Sequence, residues 1–364
     1  MNKTAGIISV ILITALAISG CGIGPSTLTR DRSNYTHAIS ESWKSQMLLN
    51  MVKVRYGDTP IFLDVVSVIN QYQVDQEFSI GADSEFYNRG EPSFIGPLFR
   101  AGGRYSDRPT VTYSPLTGEK FAKNLMTPLS PHTIFHLIQS GYPIDLVFRF
   151  AVQSVNGIQN RFGGMARSHP ADPEFYPLIE HLKKIQQTNG VGLRIRKIKN
   201  ATGKETVMMI FRERAGQTAL EEGRIVRRML GLDPEATEFK VVYDSVPRSS
   251  SEVAILTRSM LEVIVELASL IEVPESHVAD KRVNPTMKEN LPYGATVPPL
   301  IKIYSSRNMP SEGFISVQYR GHWFYIDDRD LSSKGMFSFL MFAFSLTETG
   351  MGKEAVPIVT IPTN

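Results

Sequence analysis

His322 is followed within eight positions by Asp327, Asp328 and Asp330, with Arg329 among them and Trp323 beside the histidine. An imidazole and carboxylates in one neighbourhood can move protons or ligate a metal. The same acidic run also stands just ahead of an apolar, helix-like segment. There carboxylates satisfy orphan amides and suit the positive end of the helix dipole. Capping is the favoured reading, and His322, Asp327, Asp328 and Asp330 stand as the only catalytic candidates. His132 and His136 are four apart and would share a helix face, but Thr133 stands where a zinc-protease helix carries its glutamate. No metal site is expected from them, and no cofactor. Trp323 and Tyr325 alternate along a strand-like run, so they could stack on a sugar ring or anchor a protein. Arg194 and Arg196, with Lys197 and Lys199, could form a basic stripe, although such alternation more often marks a solvated sheet face. Gly102-Gly103-Arg104 lacks the Gly-Lys-Ser/Thr of a phosphate loop. No Gly-x-Ser-x-Gly, Ser-x-x-Lys or Glu-x-x-His set occurs, so no catalytic role is assigned.

Composition narrows the classes further. The 364 residues are 42% hydrophobic and 21% charged, with a formal net charge of +3. That balance suits a globular body and is too even for binding nucleic acid by phosphate neutralisation. If the single cysteine, Cys21, is consumed by modification, the folded part holds no thiol, and disulfides, thiolate nucleophiles, Cys-ligated zinc and iron–sulfur clusters are excluded together.

Lys3 is the only charge before Arg30, an apolar stretch runs from Ala5 to Ile18, and Ser19 and Gly20 precede Cys21. This is the order of an export signal, and the apolar stretch is shorter than the ~20 residues of a membrane-spanning helix. Ile18-Ser19-Gly20-Cys21 resembles the bacterial lipobox. The resemblance implies cleavage before Cys21, removal of residues 1–20 and acylation of the new N-terminus, palmitate included. Each buried CH₂ of such chains contributes ~0.8 kcal/mol to anchoring. Gly22 stands where the resemblance would place Asp in a protein retained at the inner membrane, so the expected location is the periplasmic face of the outer membrane.

Further residues carry a second resemblance. Gly24-Pro25 through Arg30-Asp31-Arg32, the stretch Tyr35 to Asn50 around Trp43, Arg55-Tyr56, Phe62 to Val65, and Tyr319 to Asp330 are similar to a family of predicted bacterial lipoproteins. It implies a class and a location, and carries no activity.

The elements that must position these residues follow from periodicity. Residues 21–33 read as an acylated, unstructured tether. A helix capped at Ser33 or Asn34 runs to about Val54, with Ile39, Trp43, Met47 and Met51 on one face. Residues 61–80 alternate like strands, 81–109 read as a long surface loop, and Thr110–Tyr113 as a short strand. Helices are expected at Pro131–Ser140 and Ile144–Ile158. Residues 161–173, with Gly163-Gly164 and Pro170, separate an N-terminal α+β region, 34–165, from a C-terminal α+β domain, 170–364. There a helix at 174–188 precedes a hairpin, 191–211, turning at 200–203; a helix over 215–230 and a strand over 239–243 follow. Ser249 and Glu252 have capping-box spacing, which predicts one helix from there to Glu272. Residues 273–299 are loop-rich, and Leu300–Tyr304 reads as a strand. Arg320-Gly321 turns a hairpin that pairs Tyr319 with His322, Val317 with Phe324 and Ile315 with Ile326. A helix from Leu331 to Thr347 and a strand at Val356–Ile361 close the chain. The fold class is α+β, with mixed or antiparallel sheets packed by helices. The order hairpin–helix–strand recurs over 191–243 and 314–361, which suggests a repeated ββαβ-like unit.

The expected function is a non-enzymatic assembly or binding component of the cell envelope. Its partners would be the membrane, through the lipid anchor, and an envelope protein or cell-wall polymer. The alternatives are an envelope hydrolase working through His322 and Asp327–Asp330, and a periplasmic glycan or small-ligand module working through 81–109 and 273–299.

Overall fold

The computed structural model describes residues 25–69, 72–81, 98–107, 110–164, 168–188, 191–196, 206–212, 216–287 and 297–347. Cys21 with its signal, the turn at 200–203 and the strand expected at 356–361 lie outside the described residues. The chain divides into two compact units, one drawn from Met1–Pro60 and Thr117–Asn364, the other from Ile61–Leu116.

The smaller unit is a β-ribbon. Strands β1 (Leu63–Ile69) and β4 (Thr110–Pro115) pair antiparallel, as do β2 (Tyr72–Gly81) and β3 (Leu98–Asp107). Ile69 opposite Thr110 and Tyr72 opposite Asp107 share one register, and the β1–β4 ladder shifts by a residue at a bulge between Val65 and Ser67. Residues 98–107 were expected in a loop because glycines and arginines weaken their strand propensity. Pairing with β2 along its whole length overrides that preference. Residues 82–97 lie outside the description.

In the larger unit, helix α1 spans Pro25–Arg55. It takes in residues 25–33, expected to be a tether; proline is well tolerated in the first turn of a helix and does not break it. Met47, Leu48, Met51 and Val52 are buried on its inner face. The helix ends in a Schellman turn. Gly57 has φ 75°, its N–H donates to Val54 O at 3.1 Å, and Asp58 N donates to Lys53 O at 2.8 Å.

Helices α2 (Glu119–Met126), α3 (Pro131–Gln139) and α4 (Ile144–Ala151) follow. The first was not expected. The last is shorter than expected, because the chain turns at Val152 into β5 (Val152–Val155) and β6 (Ile158–Gln159). Asn156 and Gly157 have φ 47° and 87°, the two positive angles of a type I′ hairpin turn. Helix α5 (Phe175–Gln187), hairpin β7 (Val191–Arg196) and β8 (Thr206–Phe211), helix α6 (Gln217–Met229), and strand β9 (Glu238–Val242) stand as expected.

The expected 249–272 helix is two elements, strand β10 (Glu252–Thr257) and helix α7 (Met260–Ser269). Val253, Ala254 and Ile255 are all buried. A continuous apolar run of that kind reads equally as a buried helix or a central strand. The capping box lies ten residues later than expected. Ser259 accepts from Glu262 N at 3.2 Å, and Glu262 reaches back to Ser259 N at 2.8 Å.

The six-stranded mixed sheet has the order β6-β5-β10-β9-β8-β7, parallel only between β9 and β10. Strands from both sides of residues 161–173 share it. Val207, Met209, Phe211, Phe239 and Val241 are buried on one face, while Lys240 is exposed on the other.

A short helix α8 (Glu275–Ala279) leads to a three-stranded antiparallel sheet of order β11-β13-β12: β11 (Tyr304–Ser306), β12 (Gly313–Tyr319) and β13 (His322–Asp327). The β12–β13 register is the expected one, Tyr319 opposite His322 and Val317 opposite Phe324. Helix α9 (Leu331–Thr347) follows. Strand β11 begins four residues later than expected. It occupies the edge of β13 that corresponds to the place of β9 beside β8, so the two hairpin–helix units build different sheets. The fold class is α+β. No helix among the described residues is long and apolar enough to cross a membrane.

Candidate functional site

Strand β13 separates the expected acid–base group. His322 begins the strand and Asp327 ends it, so five extended steps, about 17 Å, lie between them. Asp327 accepts from the Arg329 backbone at 2.8 Å and from its Nε at 3.2 Å; these bonds hold its carboxyl below the usual range. Asp328 pairs with Lys334 at 2.6 Å. Asp330 caps α9, accepting from Ser333 N at 3.0 Å and its Oγ at 2.8 Å, and the Ser333 amide bond leads the causes that lower its pKa. The carboxylates are thus committed to one another's neighbours and to a helix start, away from His322.

His322 instead meets residues that the sequence reading did not single out as a site. Its ring lies edge-on to that of His277, centroids 4.7 Å apart. His277 Nδ1 is 2.7 Å from Tyr56 Oη, and both residues are buried. The Tyr56 ring packs on Tyr319 and Phe324 at 5.4 and 6.0 Å. Arg320 lies over Tyr56 and Tyr319, and its guanidinium pairs with Asp58 at 3.1 Å. Tyr319 Oη also donates to Asp58.

Local structure explains each placement. The Schellman turn after α1 presents Asp58. Arg320, at φ 47°, and Gly321, at φ 81°, make the two-residue turn that aims β12–β13 at it. Burial, then the neighbouring His322, holds the His277 imidazole below its ordinary 6.5. His277 is therefore neutral at pH 7. The two stretches Arg55-Tyr56 and Tyr319 to His322, quoted above for a family resemblance, meet here. No cavity among those described opens onto this cluster, which makes it a polar latch between α1, α8 and the hairpin.

The other side of α8 is different. Val278, Ala279 and Glu275 face a cavity of about 890 Å³ whose wall also includes Arg149, Arg161 and Lys302. Leu270, Val273, Pro285, Pro298, Pro299 and Ile301 add apolar surface. The arginines are held in place. Arg149 Nη2 donates to Pro298 O at 2.6 Å, and Arg161 pairs with buried Glu266 at 3.0 Å. Glu272, Glu275 and Lys302 form no ion pair among the described residues. The cavity lies within the size range of small-molecule sites, and it combines an apolar wall with a few charges of both signs. Residues of 273–287 and 297–299, within the stretch legible as loop-rich, supply much of it.

The remaining candidates lie elsewhere. Trp323 and Tyr325 are half-buried on the outer face of β13, and Tyr325 packs on Tyr304 at 5.6 Å. Neither lines a described cavity. His132 and His136 stack one turn apart on α3, at 6.1 Å. Arg194 and Arg196 lie on the edge strand β7, and Lys197 and Lys199 fall outside the described residues. Among the described residues no group of three or more His, Cys, Asp or Glu could hold a metal. No protein-family model, curated protein or solved structure matches this chain.

Proposed function

We propose that the chain is a lipid-anchored cell-envelope lipoprotein, acylated at Cys21, whose folded body is a binding component. It takes a small amphiphilic ligand, or a peptide segment of an envelope partner, into the cavity beside α8. The observation that carries this reading is the cavity itself: about 890 Å³, apolar for most of its wall, with Glu272, Glu275 and Lys302 at it, none of them in an ion pair among the described residues. Glu272, Glu275 and Lys302 are exposed, so they stand at the solvated rim of an apolar wall, the arrangement that suits an amphiphilic ligand. The lipobox at Ile18–Cys21 supports the anchor, and Gly22 supports residence at the periplasmic face of the outer membrane. A hydrolase built on His322 and the Asp327–Asp330 run draws no support from groups about 17 Å apart.

The test is photocrosslinking in intact cells, with a photoreactive residue placed at Val278 or, as a control, at exposed Met309, which does not line the cavity. A crosslinked product at position 278 and none at 309 supports the binding reading. Products at neither position remove it. The anchor is tested separately: Cys21→Ser should shift the protein from the membrane fraction to the soluble one.

A further inference from the structure

A second, polar pocket of about 400 Å³ lies where hairpin β5–β6, the loop after it and the start of α7 come together. Its wall includes Gln153, Gln159, Phe162, His169, Arg258 and Glu262. Arg258 is only 1% exposed. Its Nη1 donates to Arg149 O at 2.9 Å and its Nη2 to Arg161 O, while its Nε has no partner among the described residues. Buried polar atoms are nearly always satisfied, so an open N–H on a buried guanidinium calls for a ligand or solvent group.

The other groups in this wall are also half-used. Glu262 commits Oε2 to the Ser259 amide and hydroxyl, and no partner of Oε1 is found among the described residues. His169 Nδ1 lies 2.9 Å from Pro170 O. A carbonyl can only accept, so Nδ1 donates to it, and Nε2 has no hydrogen bond among the described residues. The amides of Gln153 and Gln159 have no side-chain hydrogen bond among the described residues, and each offers a donor and an acceptor.

From this inventory we infer that the pocket binds a sugar ring. One cationic N–H, one open carboxylate oxygen, one imidazole nitrogen and two carboxamides present single, dispersed donors and acceptors. A ring bearing several hydroxyls, each able both to donate and to accept, satisfies such a set. An anion would meet Glu262, and a cation would meet Arg258, so the opposed charges select a neutral ligand. The volume admits one or two rings. The inference rests on this pocket alone and is independent of the lipid anchor and of the larger cavity.

The ring could belong to a free sugar or to the end of a glycan chain. The test therefore titrates the full chain with N-acetyl-D-glucosamine, D-glucose and the β-1,4-linked N-acetylglucosamine tetramer, followed by saturation-transfer NMR and calorimetry. Acetate, phosphate and glycine are titrated in parallel. Gln153→Leu and Gln159→Leu are the variants, since neither amide holds the fold together. The expected result is saturable sugar binding, weakened about three- to tenfold in each variant, in line with one lost hydrogen bond. Binding should be unaltered by Ala279→Trp, which fills the other cavity. Tighter binding of the tetramer assigns the site to a glycan end, and preference for a monomer assigns it to a free sugar. Sugar binding untouched by both variants, saturable binding of acetate, phosphate or glycine in place of sugar, or no response to any probe would each overturn the inference.

Discussion

Tyr56 and His277 show how much one hydrogen bond carries when both partners are buried. Tyr56→Phe leaves His277 Nδ1 without its 2.7 Å partner. An orphaned buried group of this kind costs about 1–3 kcal/mol, to be read as a lower denaturant midpoint with an unchanged slope. The same imidazole sets a pH dependence. Its folded pKa lies below 6.5, chiefly through burial, with His322, Arg282 and Arg320 lowering it further and Asp280 opposing them. Between that lowered value and 6.5 the unfolded chain binds a proton that folded His277 does not. Unfolding free energy therefore falls as pH falls through this window and is fully retained above it. The melting temperature should drop between pH 7.5 and 5, and the drop should shrink in His277→Gln. An equal drop in both proteins would remove His277 as the cause. Neither residue was legible as a partner of the other, because 221 positions separate them and nothing in local pattern links them.

At the scale of elements, capping chemistry separates the two readings of residues 249–272. Ser259 accepts from the Glu262 amide at 3.2 Å, so Ser259→Ala should cost about 1 kcal/mol. The Ser249 hydroxyl, outside any helix, bonds the Ser251 hydroxyl at 2.8 Å on the surface and no other group among the described residues; Ser249→Ala should stay within about 0.5 kcal/mol. Thermal melts of the two variants check the pair, and equal losses would contradict the strand at Glu252–Thr257. Hairpin β12–β13 was legible to the residue, because Arg320-Gly321 fixes a two-residue turn and alternation does the rest. Asn156-Gly157 is the same kind of signal. An apolar run ending in Ile158 hid it, since Val147, Phe148, Ala151 and Val155 satisfy helical spacing as readily as a helix that gives way to strands. The candidate cavity was legible only as a proline-rich stretch, 273–299. Its wall needs Arg149 and Arg161, which lie more than a hundred positions upstream and reach it through tertiary packing alone.

The whole molecule joins units of unequal stability. Among the described residues ribbon β1–β4 has no third strand within its own unit, and Ile61, Leu63, Val111 and Tyr113 are exposed there. A two-stranded ribbon is marginal in water, whereas β10 and α7 are buried almost throughout. Amide hydrogen exchange should therefore reach completion first in residues 61–116 and last in 253–268; the reverse order would contradict this assignment. The body as a whole is proposed to work at a membrane, thiol-free once Cys21 is acylated, with its cavity occupied. Native mass spectrometry of the chain extracted gently from its own envelope tests that claim most directly. The predicted mass is that of a chain starting at an acylated Cys21, with a bound ligand that is lost in Ala279→Trp. An unmodified thiol at residue 21, or a chain that carries no ligand in either protein, would contradict it.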